Sequence, residues 1–309
     1  ISSDLNVISE CAVLTTDTVA APRLSIINEI RGSLDKVTCN VTETVASGKV
    51  KTNLNDLNFT KDECTLIENQ TIGQATNMKW HEARKGRITA SNFHSVLTRK
   101  DTTAPDKLVS QLMGYKTWKK CDCVDDCWCG PHQLTYGRKS EDLARAKYIV
   151  YQKRKGHKDV VVSESGLFID REHPYLAASP DGKVSSSQWP EGGLLEIKCP
   201  YVHRLKTPWE AAASPNFCCK LDENGQIVLR TDHRYYTQVQ GQMAICQYRW
   251  CDFVIYTMKG IAVTRVNFDC RFWNEKLLPK LRKFYESNML PEIICQRVKN
   301  GLQFHEDTK

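Results

Sequence analysis

The alternation of apolar and polar positions changes character along this chain, and each change marks an element. Residues 1–57 are rich in Thr, Ser, Val and Asn and keep no helical or strand period, so they read as a loosely structured lead-in. Thr60 followed by Glu63 has the form of a capping box, and Cys64, Ile67 and Ile72 then fall near helical spacing. A folded domain over residues 58–309 is therefore expected to open with a helix. Further helices are predicted at Ser91–Thr98 and at Gln133–Gln152, where Leu134, Leu143, Ala144, Tyr148 and Tyr151 form an apolar stripe. The period then drops to two. The runs VVSESGLFID, HPYLAASPDGKV and GGLLEIKCP read as three successive strands, punctuated by Asp-Gly and Gly-Gly. A helix at Asp232–Cys246, the strands WCDFVIYTM and IAVTRVNF, and an amphipathic helix near Arg271–Ser287 complete the pattern. Helices, three strands, a helix, two strands and a helix predict an α/β or α+β fold, a central mixed sheet flanked by helices.

Composition refines this picture in a few places. A chain of 309 residues fits one catalytic domain with an appendage. It opens with Ile1 rather than Met, which reads as a fragment or processed piece. No apolar run reaches the roughly 18 residues of a membrane span, and the start lacks a signal-peptide pattern. Charge is unevenly placed: residues 1–76 hold 6 Lys and Arg against 10 Asp and Glu, and residues 77–309 hold 37 against 26. The basic part is the one suited to meet a polyanion. Fourteen cysteines are scattered except in one cluster, which favours a reducing, intracellular compartment, nuclear if the source is eukaryotic. The Asn-x-Thr sequons at Asn40, Asn58 and Asn69 matter only in a secreted chain.

Two short runs carry candidate chemistry. In Glu196-Ile197-Lys198 the two charges lie two residues apart on a strand and so project from one face. Ser179-Pro180-Asp181-Gly182 is a turn beside that strand, which would add a second carboxylate. Alone, a Glu-x-Lys tripeptide is an ordinary exposed charge pair. Here LLEIKCP is apolar around the charges, and buried carboxylates are costly unless a cation neutralises them. Carboxylate oxygens hold Mg²⁺, and a lysine beside them orients or deprotonates an attacking water, the set that phosphodiester hydrolysis needs.

The run from Trp80 to Arg204 resembles the YqaJ-type viral recombinase family, whose relatives are lambda-exonuclease-like, within the PD-(D/E)XK nuclease superfamily. The matching blocks are Trp80-His81-Glu82-Ala83-Arg84 with Arg87 to Ser91, Tyr136 to Glu141 with Ala144-Arg145, Leu167 to Asp170, Ala178 to Gly182, Glu196 to Pro200, and Gln238-Val239-Gln240. The resemblance spans about residues 60–290. It implies a restriction-endonuclease-like fold and a Mg²⁺-dependent DNA exonuclease, running 5′ to 3′ on linear duplex with a 5′-phosphate preference, Mn²⁺ substituting. It makes Asp181 and Glu196 the shared metal ligands, completed by the carbonyl of Ile197, with Lys198 at the water. Glu141 and Asp170 would assist a second Mg²⁺. Glutamines two apart on a helix lie about 200° apart, so only one can face the site; the resemblance favours Gln238, leaving Gln240 structural or solvent-facing. Arg84, Ser91, Ser179 and Arg204 match a pocket for a terminal 5′-phosphate, with Trp80 at the entry for the duplex end. A departure is the spacing between Asp181 and Glu196, stretched by SSSQWPEGG, which a longer hairpin would absorb.

The Cys-rich insertion at 118–132 holds Cys121, Cys123, Cys127 and Cys129, whose thiolates could bind one structural Zn²⁺; free or disulfide-linked cysteines are the alternative. Among the other tryptophans, Trp250 and Trp273 sit at the edges of apolar runs and suit core packing. Competing functions are an endonuclease or single-strand nuclease on the same fold, and a non-catalytic DNA-end-binding module. No membrane partner is expected, and a homo-oligomer, a trimer by family analogy, is possible.

Overall fold

A computed structural model describes residues 23–35, 59–115 and 131–302. Cys121, Cys123, Cys127 and Cys129 lie outside the described residues, as do residues 1–22 and 36–57 of the expected lead-in. Within that lead-in a helix does form, α1 (Ile26–Asp35), and Ile26 and Ile30 are fully buried in the main core. Ten residues with two core contacts leave little periodic signal.

The capping box of Thr60 and Glu63 is present and starts α2 (Lys61–Gln70). Next come α3 (Met78–Arg84), α4 (Phe93–Leu97), α5 (Asp106–Leu112) and the long α6 (Pro131–Arg154). A second capping box, Thr207 with Glu210, starts α7 (Pro208–Ala212), and α8 spans Arg234–Cys246. From Phe272 to Cys295 the chain is a near-continuous helix in which two π segments, Phe272–Leu277 and Tyr285–Met289, each precede an α segment, α9 (Leu278–Phe284) and α10 (Leu290–Cys295). Pro279 and Pro291 begin those α segments; a proline cannot donate to the preceding turn, and the wider π turn accommodates the missing bond.

The strands divide among three sheets. β1 (Ile88–Thr89), β4 (Leu176–Ala178) and β3 (Phe168–Ile169) form one, in the order β1-β4-β3. The principal sheet has the order β10-β9-β6-β5-β2, from β2 (Val161–Ser163), β5 (Gly182–Ser186), β6 (Trp189–Lys198), β9 (Trp250–Thr257) and β10 (Gly260–Asn267). A hairpin of β7 (Cys219–Leu221) and β8 (Ile227–Leu229) stands apart. The runs expected as single strands over VVSESGLFID and HPYLAASPDGKV are each split between two sheets, at 164–167 and at 179–181. The hairpin before Glu196 is lengthened as the stretched spacing required: Ser186 still pairs with Trp189, past a bulge.

β6 and β9 run parallel, joined by the crossover that contains α7, β7, β8 and α8. Their side chains alternate between two apolar layers. Leu195, Ile197, Val254 and Tyr256 pack with Ala144 and Tyr148 of α6, while Leu194, Phe253 and Ile255 pack with Val239 and Met243 of α8. Each such buried aliphatic or aromatic side chain contributes on the order of 1.5–3 kcal/mol. Strand alternation therefore turns Glu196 and Lys198 toward α8. Gly241 lets that helix lie close to α4, because a Cβ there would meet the Phe93 ring at 2.4 Å. None of the described cysteines is in a disulfide, and no described helix is long and apolar enough to cross a membrane.

Candidate active site

The chain leaves β4 at Ala178 and enters β5 at Gly182, and the residues between form a turn gripped from several sides. The Ser179 hydroxyl accepts the indole N–H of Trp80 on α3 at 2.8 Å. The Pro180 carbonyl accepts Gln74 Nε2 at 2.9 Å and the Ser165 hydroxyl. The Asp181 carbonyl accepts Arg145 Nη2 from α6 at 2.9 Å, its N–H donates to Leu195 O at 3.0 Å, and its Oδ2 accepts the Ile197 N–H at 2.6 Å. These bonds bring the Asp181 carboxyl against β6.

Glu196, only 1% exposed, is held from α8 and from its own strand. Oε1 accepts Gln238 Nε2 at 2.6 Å and the Lys198 ammonium, and Oε2 accepts Gln242 Nε2 at 2.7 Å. Glu141 stands on α6, with Arg145 one turn on at 3.2 Å. Burial, then the Glu196 charge, pushes the Asp181 carboxyl well above the ordinary carboxylate range. Glu141 is raised for the same two reasons, with Arg145 opposing. Burial alone would lower the Lys198 ammonium, but Glu196, Tyr235 and Asp181 outweigh it and the net shift is upward. Lys198 thus stays charged, with its Nζ 4.7 Å from the centre of the Tyr235 ring. Beside the cluster opens a cavity of about 650 Å³, lined by Arg138, Glu141, Lys198, Tyr201, Phe217 and Tyr235 among others.

Glu141, Asp181, Glu196, Lys198 and Gln238 therefore come together, while Asp170 is bonded to its own turn. Its Oδ1 accepts the N–H of Glu172 at 3.0 Å and of His173 at 2.8 Å, capping the turn between β3 and β4. Asp170 lies across from Leu176, its N–H donating to the Leu176 carbonyl at 3.1 Å. Gln240 points the other way from Gln238: it donates to Asn267 O and accepts from Asp269 N–H, a structural tie at 0% exposure. Gln242 and Arg145 were missed as contacts of the cluster. For Gln242 the signal was its spacing, one helical turn from Gln238 on the same face.

Four of the five expected phosphate-pocket residues assemble next to this turn. Arg84 lies over the Trp80 ring, its Cζ 4.0 Å from the centroid, and reaches Thr89 Oγ1 at 3.4 Å, which in turn meets Ser91 Oγ at 3.3 Å. Trp80 binds Ser179, as above. Burial lowers the Arg84 guanidinium to about 10, and no carboxylate pairs with it among the described residues. Arg204 is not joined to this group. It sits over the Tyr201 ring at 3.9 Å and donates to the Tyr201 carbonyl at 2.9 Å.

Among the described residues no three His, Cys, Asp or Glu side chains converge closely enough to hold a metal ion. The contacts explain why: Glu196 is turned to Lys198 and two amides, Asp181 to a backbone N–H, and Glu141 to Arg145. The donor set still suits a hard divalent cation, since two of its carboxyls are driven toward protonation by burial and by the charge of Glu196.

Comparison with known proteins adds the family. A profile of the YqaJ-like viral recombinase domain matches residues 79–249, more than half of the chain and all of the cluster just described. An alkaline exonuclease, LHK-Exo, from Laribacter hongkongensis is similar in structure at 24% identity, over 72% of this chain and 97% of that one, with a TM-score of 0.49. The Shutoff and Exonuclease Protein of Kaposi's sarcoma-associated herpesvirus matches at 15% identity, over 75% and 73% of the two chains, with a TM-score of 0.44. A phage-related exonuclease from Haemophilus somnus 129PT matches at 11% identity, over 70% and 96%, with a TM-score of 0.42. No curated protein sequence matches. By the profile matched over residues 79–249, the chain belongs to the YqaJ-like viral recombinase family.

Proposed function

We propose that the chain is a divalent-metal-dependent DNA exonuclease that begins at 5′ ends of linear duplex and prefers a terminal 5′-phosphate. The observation that carries this reading is the 179–181 turn. It joins a carboxylate and lysine cluster on one side to a half-buried arginine that has no acidic partner among the described residues on the other. A terminal phosphate is a dianion, which an internal phosphodiester is not, and a half-buried guanidinium linked to the Ser91 hydroxyl through Thr89 and to the Ser179 hydroxyl through Trp80 suits it.

Asp181, Glu196 and the Ile197 carbonyl, assisted by Glu141, are the residues that would hold Mg²⁺ or Mn²⁺. Bound there, the ion supplies charge for the phosphoryl oxygens and an activated water. The chain's own groups do the rest. Lys198, kept as an ammonium by Glu196, serves as a fixed positive charge for the water and the phosphate rather than as a base. Gln238 fixes one oxygen of Glu196. Trp80 and Arg84 place the end of the strand so that the next phosphodiester meets the cluster.

The test is a time course on linear duplex labelled at the 5′ or the 3′ end, with and without 5′-phosphate, beside a closed circle, in Mg²⁺, Mn²⁺ or EDTA. Release of the 5′ label first, faster from phosphorylated ends and only with metal, is the expected result. Cutting of the closed circle at a similar rate would replace the exonuclease reading with an endonuclease.

A further inference from the structure

Gln242 has a position that holding one carboxylate does not account for. It is 1% exposed on α8, and its Nε2 donates to Glu196 Oε2 at 2.7 Å and makes a longer contact, 3.5 Å, to the Ser179 carbonyl. Both neighbours are acceptors, so the amide has only one workable orientation: turned over, its oxygen would face two oxygens. The remaining Oε1 is buried without a partner. A buried orphan acceptor is a cost that most folds remove, and its persistence beside a reactive cluster calls for a reason. A methionine or leucine of similar volume would fill the space without it.

We propose that Gln242 is a positioning residue that couples the two halves of the site, carrying the state of the Ser179 turn to the carboxylate of Glu196. The path is continuous: Lys198 to Glu196, Glu196 to the Gln242 amide, the amide to the backbone of Ser179, and the Ser179 hydroxyl to Trp80, on which Arg84 lies. A phosphate drawn to Arg84 and the Ser179 hydroxyl shifts the turn, and the amide passes that shift to the oxygen of Glu196 that neither Lys198 nor Gln238 holds. Occupation of the strand-end group thereby sets Glu196 for the metal, and metal on Glu196 sets the turn for the phosphate. Two sites linked in this way change one another's affinity by the same factor.

The inference rests on the metal and 5′-phosphate reading above, so the experiment separates the two failures. The readout is binding, not cleavage. Affinity for a 5′-phosphorylated and a 5′-hydroxyl duplex end is measured by fluorescence anisotropy, in EDTA and in saturating Ca²⁺ as a probe metal, for the full chain. Calorimetric Ca²⁺ binding and thermal melting run in parallel. In the wild type, Ca²⁺ should tighten the phosphorylated end more than the hydroxyl end by about fivefold or more. Gln242→Met, which keeps volume and loses the donor, should bring that factor to about one while the melting temperature stays near that of the wild type. Should Gln242→Met not fold, Gln242→Asn, whose amide falls one methylene short, gives the same reading. A folded variant that keeps the wild-type factor overturns the coupling, as does a wild type whose factor is already one. A wild type that binds no Ca²⁺ or ignores the phosphate refutes the reading on which it rests, and the coupling falls with it.

Discussion

Two carboxylates on adjacent strands are equally buried and belong to different kinds of site. Glu196 on β6 and Asp252 on β9 are each 1% exposed, and the register pairs Leu195 with Asp252 and Glu196 with Phe253, so the two acids face opposite layers. Asp252, on the α6 side, accepts two bonds from Arg265 at 2.8 and 3.0 Å, one from the Tyr148 hydroxyl at 2.7 Å and one from Gln152 at 2.9 Å. Its lone pairs are filled, and Arg265 is itself held against the Trp250 and Trp189 rings at 3.6 and 4.4 Å. Glu196, on the α8 side, has a lysine and two amides but also two more carboxyls, Asp181 and Glu141, in electrostatic reach. Equal burial gives a structural acid where donors match acceptors. Where acceptors are in excess it gives a cluster suited to a cation, as proposed for Glu196.

Substitutions should break the two clusters in opposite ways. The largest effect belongs to the open one. Lys198→Ala should slow cleavage by about 10²–10³ while leaving duplex binding nearly intact, because it removes a charge aimed at the reacting phosphate; a steady-state rate and a binding isotherm on the same preparation decide it. A folded Lys198→Ala protein with near wild-type turnover would remove the lysine from the chemistry. Asp252→Asn should do the reverse. Breaking a filled, buried ion pair costs about 3–5 kcal/mol of stability, read as a lower urea midpoint at unchanged slope, with the folded fraction still cleaving at its normal rate. Loss of turnover without loss of stability would move Asp252 into the active cluster.

The strand-end group should give a smaller and more selective effect. Arg84→Ala should reduce the rate advantage of 5′-phosphorylated over 5′-hydroxyl duplex by about tenfold, the scale of one buried charge-assisted contact. Arg204→Ala should reduce it far less, since Arg204 is engaged by Tyr201 instead. Equal losses in the two variants, at fixed salt, would place Arg204 in the pocket after all.

The smallest effect is a pH dependence confined to the open side. His233 caps α8, its Nδ1 accepting the Tyr235 N–H at 3.2 Å, and burial, then the Arg234 charge, depress its pKa from 6.5 to about 4. The unfolded chain therefore takes up this proton first as pH falls. The stability from neutral His233 is fully present above about pH 6.5 and is lost progressively down to about pH 4. His233→Asn, which keeps a capping oxygen, should flatten that part of the melting-temperature profile. An unchanged slope would assign the acid sensitivity elsewhere.

The legibility of these sites in the sequence follows from how local each one is. That Asp181, Glu196 and Lys198 lie together could be read in the sequence because a Pro-Asp-Gly turn and a two-residue strand spacing are local facts. Asp170 came from the family resemblance alone, and nothing in the sequence announces that its carboxyl accepts from the turn that follows it. The chain breaks at residues 179–181 and changes sheets, leaving Asp170 at the far end of the β3 and β4 hairpin, bonded to its own turn. Gln240 and Gln238 were separable because helical geometry forbids both from facing inward. Arg204 falls in the right block of sequence, yet which way a guanidinium swings after a strand end depends on the aromatic ring it meets. The Asp252 and Arg265 cluster could not be recognised, since its partners come from α6 and from β10.

The turn at 179–181 also bears on how the protein comes into being. Its donors sit at Gln74, Trp80, Arg145, Ser165, Ile197 and Gln242, positions scattered over most of the chain. A nascent chain emerging from the ribosome carries Asp181 and Glu196 well before it carries Gln238 and Gln242. Until α8 is made and docked, neither oxygen of Glu196 has its glutamine. Assembly of the Glu196 cluster is thus tied to the docking of α8, which carries both of its glutamines.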